Sequence, residues 1–240
     1  MKRIAVRFSM LVLVCCLAAA FFCLPADAVS AATRVDFTCT VNVDGDCLAT
    51  LQMNLHLDAP DANLVFPLPA KATNITVNGS SATVTRSGNY NMVSLNRVTG
   101  GQAGDYVVSI NYSLPKIVTV AVDDKGIVDK KTLNLNLDIL SGFSYPISAM
   151  TYTITIPGDF PQTPDFYSTY RQNGLASELN LLINGNMLTG STKNGFNDHE
   201  SVSMSLSVSP DMFPGVSTYQ RTGNPELIPM GALAGVALLY

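Results

Sequence analysis

Over most of residues 33–213 the chain alternates apolar and polar side chains with period two, and few other features constrain a fold as tightly. In 132–139, Leu133, Leu135, Leu137 and Ile139 share one face, and Thr132, Asn134, Asn136 and Asp138 share the other. In 150–156, Tyr152, Ile154 and Ile156 oppose three threonines; in 201–208, Val202, Met204, Leu206 and Val208 oppose serines. In 106–114, Tyr106, Val108, Ile110, Tyr112 and Leu114 share a face. Strands with one apolar and one polar face belong to antiparallel sheets with one side in water. Turn pairs recur between such stretches: Asp44-Gly45, Asn78-Gly79, Ser87-Gly88, Gly100-Gly101, Asp124-Lys125-Gly126 and Asn184-Gly185. No long stretch outside the two ends has a helical period. The pattern predicts an all-β protein, an antiparallel β-sandwich. About 185 residues lie between the two apolar ends, and one immunoglobulin-like sandwich takes roughly 100. The expected arrangement is therefore two Ig-like sandwich subdomains in tandem, 33–115 and 116–213, divided near Pro115; a single extended sandwich is the alternative. Residues 157–178, with Pro157, Pro161 and Pro164, read as a connection with a helical turn around Leu175–Glu178.

The ends have a different character. Lys2, Arg3 and Arg7 precede an apolar run from Met10 to Leu24, then Pro25 and the small-residue site Ala26-Asp27-Ala28. Basic start, short apolar core and A-x-A site make a signal peptide, residues 1–28, cleaved after Ala28. The apolar core has about 15 residues, short of the roughly 20 needed to span a bilayer. Cys15, Cys16 and Cys23 lie inside it, none with the small preceding residue of a lipid-modified cysteine. At the other end, 214–226 reads as a linker and 227–240 (LIPMGALAGVALLY) carries no charge. An exposed apolar run of that kind binds something or aggregates. It reads as the start of a truncated transmembrane helix, or else as a terminal element packed on the domain.

Residues 1–28 hold three of the fourteen basic residues and one of the eighteen acidic ones, leaving a net charge of about −6 on the rest. With no basic stretch remaining, nucleic acid and anionic lipid are not expected as electrostatic partners. Charged residues are 13% of the chain, so Ser, Thr and Asn must supply much of the polar surface.

Only Cys39 and Cys47 follow the cleavage site. Outside the cytoplasm such a pair suggests a disulfide. Val35, Phe37, Cys39, Val41 and Val43 share one face, and Cys47, Ala49, Leu51, Met53, Leu55 and Leu57 another; in a hairpin both must line one core. A two-residue Asp44-Gly45 turn would set Asn42 against Cys47, polar against apolar. A three-residue loop, Val43-Asp44-Gly45 with Gly45 left-handed, pairs Asn42 with Asp46 and Val41 with Cys47, and every face matches. Cys39 is then diagonal to Cys47, with Cβ atoms about 7 Å apart against the roughly 4 Å of a disulfide. A bond would need a longer loop or a local distortion; two buried, unbonded thiols are the alternative.

No catalytic residue and no cofactor or metal ligand set stands out. His56 falls on the polar face of a strand and His199 in Asn197-Asp198-His199-Glu200; neither has a partner at metal-ligand spacing. Ser144, in Gly142-Phe143-Ser144-Tyr145-Pro146, lacks the second glycine of a nucleophile elbow. The acidic turns Asp44-Gly45-Asp46 and Asp123-Asp124 could take calcium but lack EF-hand spacing and read as solvated turns. Asn74, Asn78 and Asn111 begin glycosylation sequons, though the signal is bacterial in style. No LPxTG-like sorting motif precedes the tail.

The layout resembles domain-of-unknown-function family 2207, predicted membrane proteins with a signal peptide, an extracytoplasmic β-rich region and transmembrane helices. The resemblance rests on VDFTCTVNVDGDCLATLQMNL, LVFPLPAKATNITVNG, GDYVVSINYSLP, LSGFSYPISAMTYTITIPGDF and NDHESVSMSLSVSPDMFP, and spans about residues 33–240. It implies a mature domain facing outside the cytoplasm, membrane contact through the C-terminal segment and no catalytic residues to carry over. The expected function is structural or interactive at the cell surface. A secreted binding module for an envelope polymer is the second reading, and an enzyme the third.

Overall fold

The computed structural model describes residues 30–122, 128–171 and 175–216. The expected signal peptide, its cleavage site at Ala28 and the apolar tail 227–240 lie outside them. Among the described residues no helix is long and apolar enough to cross a membrane.

The architecture is all-β and mostly antiparallel. β1 (Ala31–Val41) and β2 (Cys47–Leu57) form the first hairpin. β3 (Val65–Pro69), β4 (Thr73–Val77), β5 (Ser80–Ser81), β6 (Val84–Ser87) and β7 (Tyr90–Ser94) follow. A single helical turn, α1 (Asn96–Thr99), leads to β8 (Gly104–Leu114), β9 (Val118–Val122) and β10 (Val128–Ser141). β11 (Met150–Thr155), β12 (Asp165–Ser168), β13 (Leu179–Asn184), β14 (Met187–Thr192) and β15 (Ser201–Val208) complete the order. An eight-stranded sheet runs β13-β14-β11-β1-β2-β8-β4-β5, a four-stranded sheet β12-β15-β10-β9, and a three-stranded sheet β3-β7-β6.

The expected division at Pro115 does not separate these sheets. β1 pairs with β11 in parallel, Val35 beside Met150, so the large sheet takes strands from both sides of Pro115. Inner faces of all three sheets meet in one core, with Phe37 and Leu51, Leu135 and Met204, and Phe66 and Val93 all at most 1% exposed. Chain length suggested two sandwiches; a sheet eight strands wide takes up the same length in one.

The alternating stretches became β8, β10, β11 and β15, with the anticipated residues buried except Tyr106, which is half-buried against the core. One departure is informative. The β10–β15 register shifts between Asp138 and Leu140, so Ile139 and Leu140 are both buried. A bulge inserts an unpaired residue and reverses the phase beyond it. The connection 157–178 contains a 3-10 turn at Ala176–Glu178, as expected, and also β12, which its prolines concealed.

The first hairpin adopts the register that face matching required. Val41 opposes Cys47, Asn42 N–H donates to the Asp46 carbonyl at 2.9 Å, and Gly45 has φ +78°. Cys39 opposes Ala49 and is diagonal to Cys47. Their Cα atoms are nevertheless 6.3 Å apart and their sulfurs within bonding distance, inside the Cα range disulfides use. No longer loop is needed.

Tyr152 on β11 opposes Gly190 on β14, and a Cβ on Gly190 would collide with the tyrosine ring. The ring also packs on Phe166 of β12 at 5.5 Å, joining the large sheet to the four-stranded one. Its hydroxyl is buried with no hydrogen-bond partner among the described residues, and burial raises its pKa. An unsatisfied buried hydroxyl costs about 1–3 kcal/mol. Tyr152→Phe should therefore raise the unfolding free energy in urea by about 1 kcal/mol; a lower midpoint would mean the hydroxyl is satisfied.

Candidate functional site

Three features could carry function or support it. The first is the outward face of the large sheet. Because each strand alternates, one register row crosses it as Leu182, Thr189, Thr153, Thr38, Thr50, Asn111 and Thr76. Thr50 Oγ1 donates to Asn111 Oδ1 at 2.8 Å within this row. The next row runs Asn180, Ser191, Thr151, Asp36, Gln52 and Ser109. Strands lie about 4.8 Å apart in a sheet, so in the first row hydroxyls and amides repeat at that spacing across six strands, from Thr189 to Thr76. The rows carry one charged residue, Asp36, which is paired with Arg34 at 2.9 Å. β-branched threonine suits a strand, which is also why the face forms.

The second is a cleft between the three-stranded sheet and the loops after β10 and before β15. Its volume is about 280 Å³, and Val65, Pro67, Tyr90, Met92, Ser144 and His199 are among its lining residues. An adjoining hollow of about 200 Å³ shares Tyr90 and Ser141 and adds Asp138 and Ser203. Gly142, at φ +84°, holds the loops together: a Cβ there would stand 3.1 Å from the His199 carbonyl oxygen. His199 N–H donates to the Phe143 carbonyl at 2.6 Å, and Phe143 is anchored on Phe66, ring centroids 5.2 Å apart. The fold thus brings Ser144 and His199 to one cleft and a carboxylate, Asp138, to its neighbour. Among the described hydrogen bonds none joins these three side chains. The arrangement can receive a small polar group but contains no formed proton relay of the kind nucleophilic catalysis uses. His56 is remote from it, its Nδ1 lying 2.7 Å from Asp105 Oδ1 on the polar face of β2 and β8.

The third is a buried ion cluster. Glu200 is 1% exposed. It accepts from Arg171 Nε at 2.8 Å, from Asn197 N–H at 2.9 Å and from the Ser168 hydroxyl. Arg171 also reaches Glu178 and donates to the Gly195 carbonyl at 2.7 Å, with its guanidinium 5.2 Å from the Phe196 ring centroid. Burial pushes the Glu200 carboxyl up, but these hydrogen bonds outweigh it and hold the group below its ordinary value of 4.5. The cluster ties β12 and its following turn to the start of β15. Both carboxylate oxygens of Glu200 and all three nitrogens of the Arg171 guanidinium have partners within the protein, an arrangement that serves structure.

The acidic turn at Asp44-Gly45-Asp46 is also occupied internally. Asn42 Oδ1 accepts from the N–H groups of Asp44 and Asp46 at 3.0 Å, and Asp46 Oδ1 accepts from Lys116 N–H at 2.9 Å. Asp123 and Asp124 lie outside the described residues. Among the described residues no group of three or more potential ligands could hold a metal ion.

No family model and no curated protein matches the sequence. Among solved structures, native leukotriene A4 hydrolase from Saccharomyces cerevisiae aligns at 10% identity over 74% of this chain and 29% of that one, TM-score 0.39. An M1 zinc metallopeptidase from Deinococcus radiodurans aligns at 8% identity over 73% of this chain and 42% of that one, TM-score 0.35. The chain spans less than half the length of either.

Proposed function

We propose that this chain is the extracytoplasmic part of an exported, membrane-anchored protein of the bacterial cell surface, with a structural or interaction role. The observation that carries the interaction role is the broad outer face of the large sheet, whose neutral hydroxyls and amides stand in register across six strands. The export address and the anchor rest on the sequence of residues 1–28 and 227–240 and on the resemblance to family 2207. Fractionation of cells expressing the full chain tests the reading. The protein should sediment with membranes and be cleaved by protease added outside intact cells. Recovery from the medium as a free soluble protein would overturn the anchor, and protection from external protease would overturn the surface location.

The same hydroxyl rows favour a second reading, a secreted binding module for a neutral envelope polymer. A repeat of about 4.8 Å between strands suits many weak hydrogen bonds to a polyhydroxylated chain. Pull-down on purified envelope polysaccharide separates the readings: a secreted module should be retained and lose retention when Thr38, Thr50 and Thr153 are all changed to Lys.

A further inference from the structure

We propose that β13 is a pairing edge for a second copy of this chain, the two strands running antiparallel about a two-fold axis at Leu182. The inference goes beyond the surface role and does not depend on where the chain is anchored. Among the described residues β13 is the last strand of the large sheet and pairs on one side only, with β14. Asn184 opposes Met187 across the turn at Gly185-Asn186. In an antiparallel hairpin with a two-residue turn, the closing pair exchanges hydrogen bonds and every second pair after it does too. Asn184, Leu182 and Asn180 therefore bond to β14. The backbone N–H and C=O groups of Leu179, Leu181 and Ile183 face outward, and no described strand meets them.

Exposed edges are normally blunted, and the other edges here are. β5 has two residues, and β3 carries Pro67 and Pro69. β6 carries Arg86 and β12 Asp165, and β9 pairs across a register shift. β13 has none of these devices. Residues 179–192 (LNLLINGNMLTGST) contain no charge and no proline, the ladder to β14 is unbroken, and Leu182 is 66% exposed.

The occupant follows from register and charge. With the two-fold axis at Leu182, Leu181 of one copy opposes Ile183 of the other, and these outward-facing residues exchange the backbone bonds. Leu182 then meets Leu182 in a close non-hydrogen-bonded pair, and Asn180 meets Asn184. Every side chain faces its like. Moving the axis to Leu181 would set Asn180 against Leu182, polar against apolar. The chain carries a modest net negative charge, and on the uncharged β13–β14 hairpin two copies can meet without like charges opposed.

Cysteine cross-linking of the full chain tests this, with the native cysteines retained and the unsubstituted protein as background. Close non-hydrogen-bonded pairs bring Cβ atoms to about 4.5–5.5 Å, within reach of a bond. On mild oxidation Leu182→Cys should give a reducible dimer at least tenfold above background. Asn180→Cys alone should stay at background, and the double variant Asn180→Cys with Asn184→Cys should rise to match Leu182→Cys. In sedimentation, Leu182→Asp, which places two like charges at the axis, should raise the dimer dissociation constant at least tenfold while leaving the thermal midpoint of each copy unchanged. The proposal is overturned if Leu182→Cys stays at background, as it would if the edge served a peptide from another protein. It is equally overturned if Asn180→Cys alone cross-links as well as Leu182→Cys does.

Discussion

Glu200→Ala should lower the unfolding free energy by about 3–5 kcal/mol, the cost of removing one partner from a buried ion pair. The loss comes less from the missing attraction than from what stays behind. Arg171 is largely buried, its side chain 16% exposed, and without Glu200 its Nε loses its acceptor. The Ser168 hydroxyl and the Asn197 N–H lose theirs as well. Urea denaturation measures the effect, and a change below about 1 kcal/mol, typical of exposed pairs, would show that water reaches the site. Replacing both partners, Arg171→Leu with Glu200→Leu, should recover part of the loss, because no buried charge remains. A pH signature accompanies it. The Glu200 carboxyl is held below 4.5 in the folded state. Its contribution is therefore complete above the unfolded value of about 4.5 and decays as pH falls through the lower folded value. Glu200→Gln should flatten the acid limb of the stability curve below pH 4.5 and leave its shape at neutral pH unaltered.

The second large effect belongs to the first hairpin. Cys39 and Cys47 should be bonded in protein recovered from an oxidising compartment, and Cys39→Ala with Cys47→Ala should cost about 2–3 kcal/mol, the loop-closure entropy of so short a loop. The strand ladder around the pair holds the register without the bond, so the variant should still fold. Both cysteines are fully buried, and labelling of the folded protein would find them protected whether bonded or not. Alkylation after unfolding without reductant distinguishes the cases: two modified thiols would remove the bond, none would establish it.

How far the fold can be read from the sequence depends on distance along the chain. The hairpin register was legible because two faces, a glycine and a three-residue loop are all local, and one arrangement satisfies them. The strands at β8, β11 and β15 were legible for the same reason. The parallel joining of β1 to β11 was not, since no local pattern says which distant strand a free edge will choose. β3 was hidden because its prolines argue against a strand, although they are admissible at the edge it occupies. Glu200 carried a signal that could have been used. It stands in phase with Val202, Met204, Leu206 and Val208, so extending that alternation by one step places a carboxylate on the inner face, where it must find a cation. Ser144 and His199 line one cleft because Gly142 lets two loops touch, and that closeness is invisible in their spacing.

The parallel pairing of β1 with β11 also bears on how the molecule is made. Asp36 and Thr151, neighbours across that ladder, are 115 positions apart in the chain. An exported chain emerges from the membrane N-terminal end first, so the first is delivered well before the second. During that interval β1 and β2 can zip together, but the far side of β1 has no strand to join. Its bare edge is a template for unwanted strands, and the nascent chain must be shielded there until β11 arrives. A delay in translocation between β2 and β11 should thus increase aggregation, whereas a delay after β15 should not.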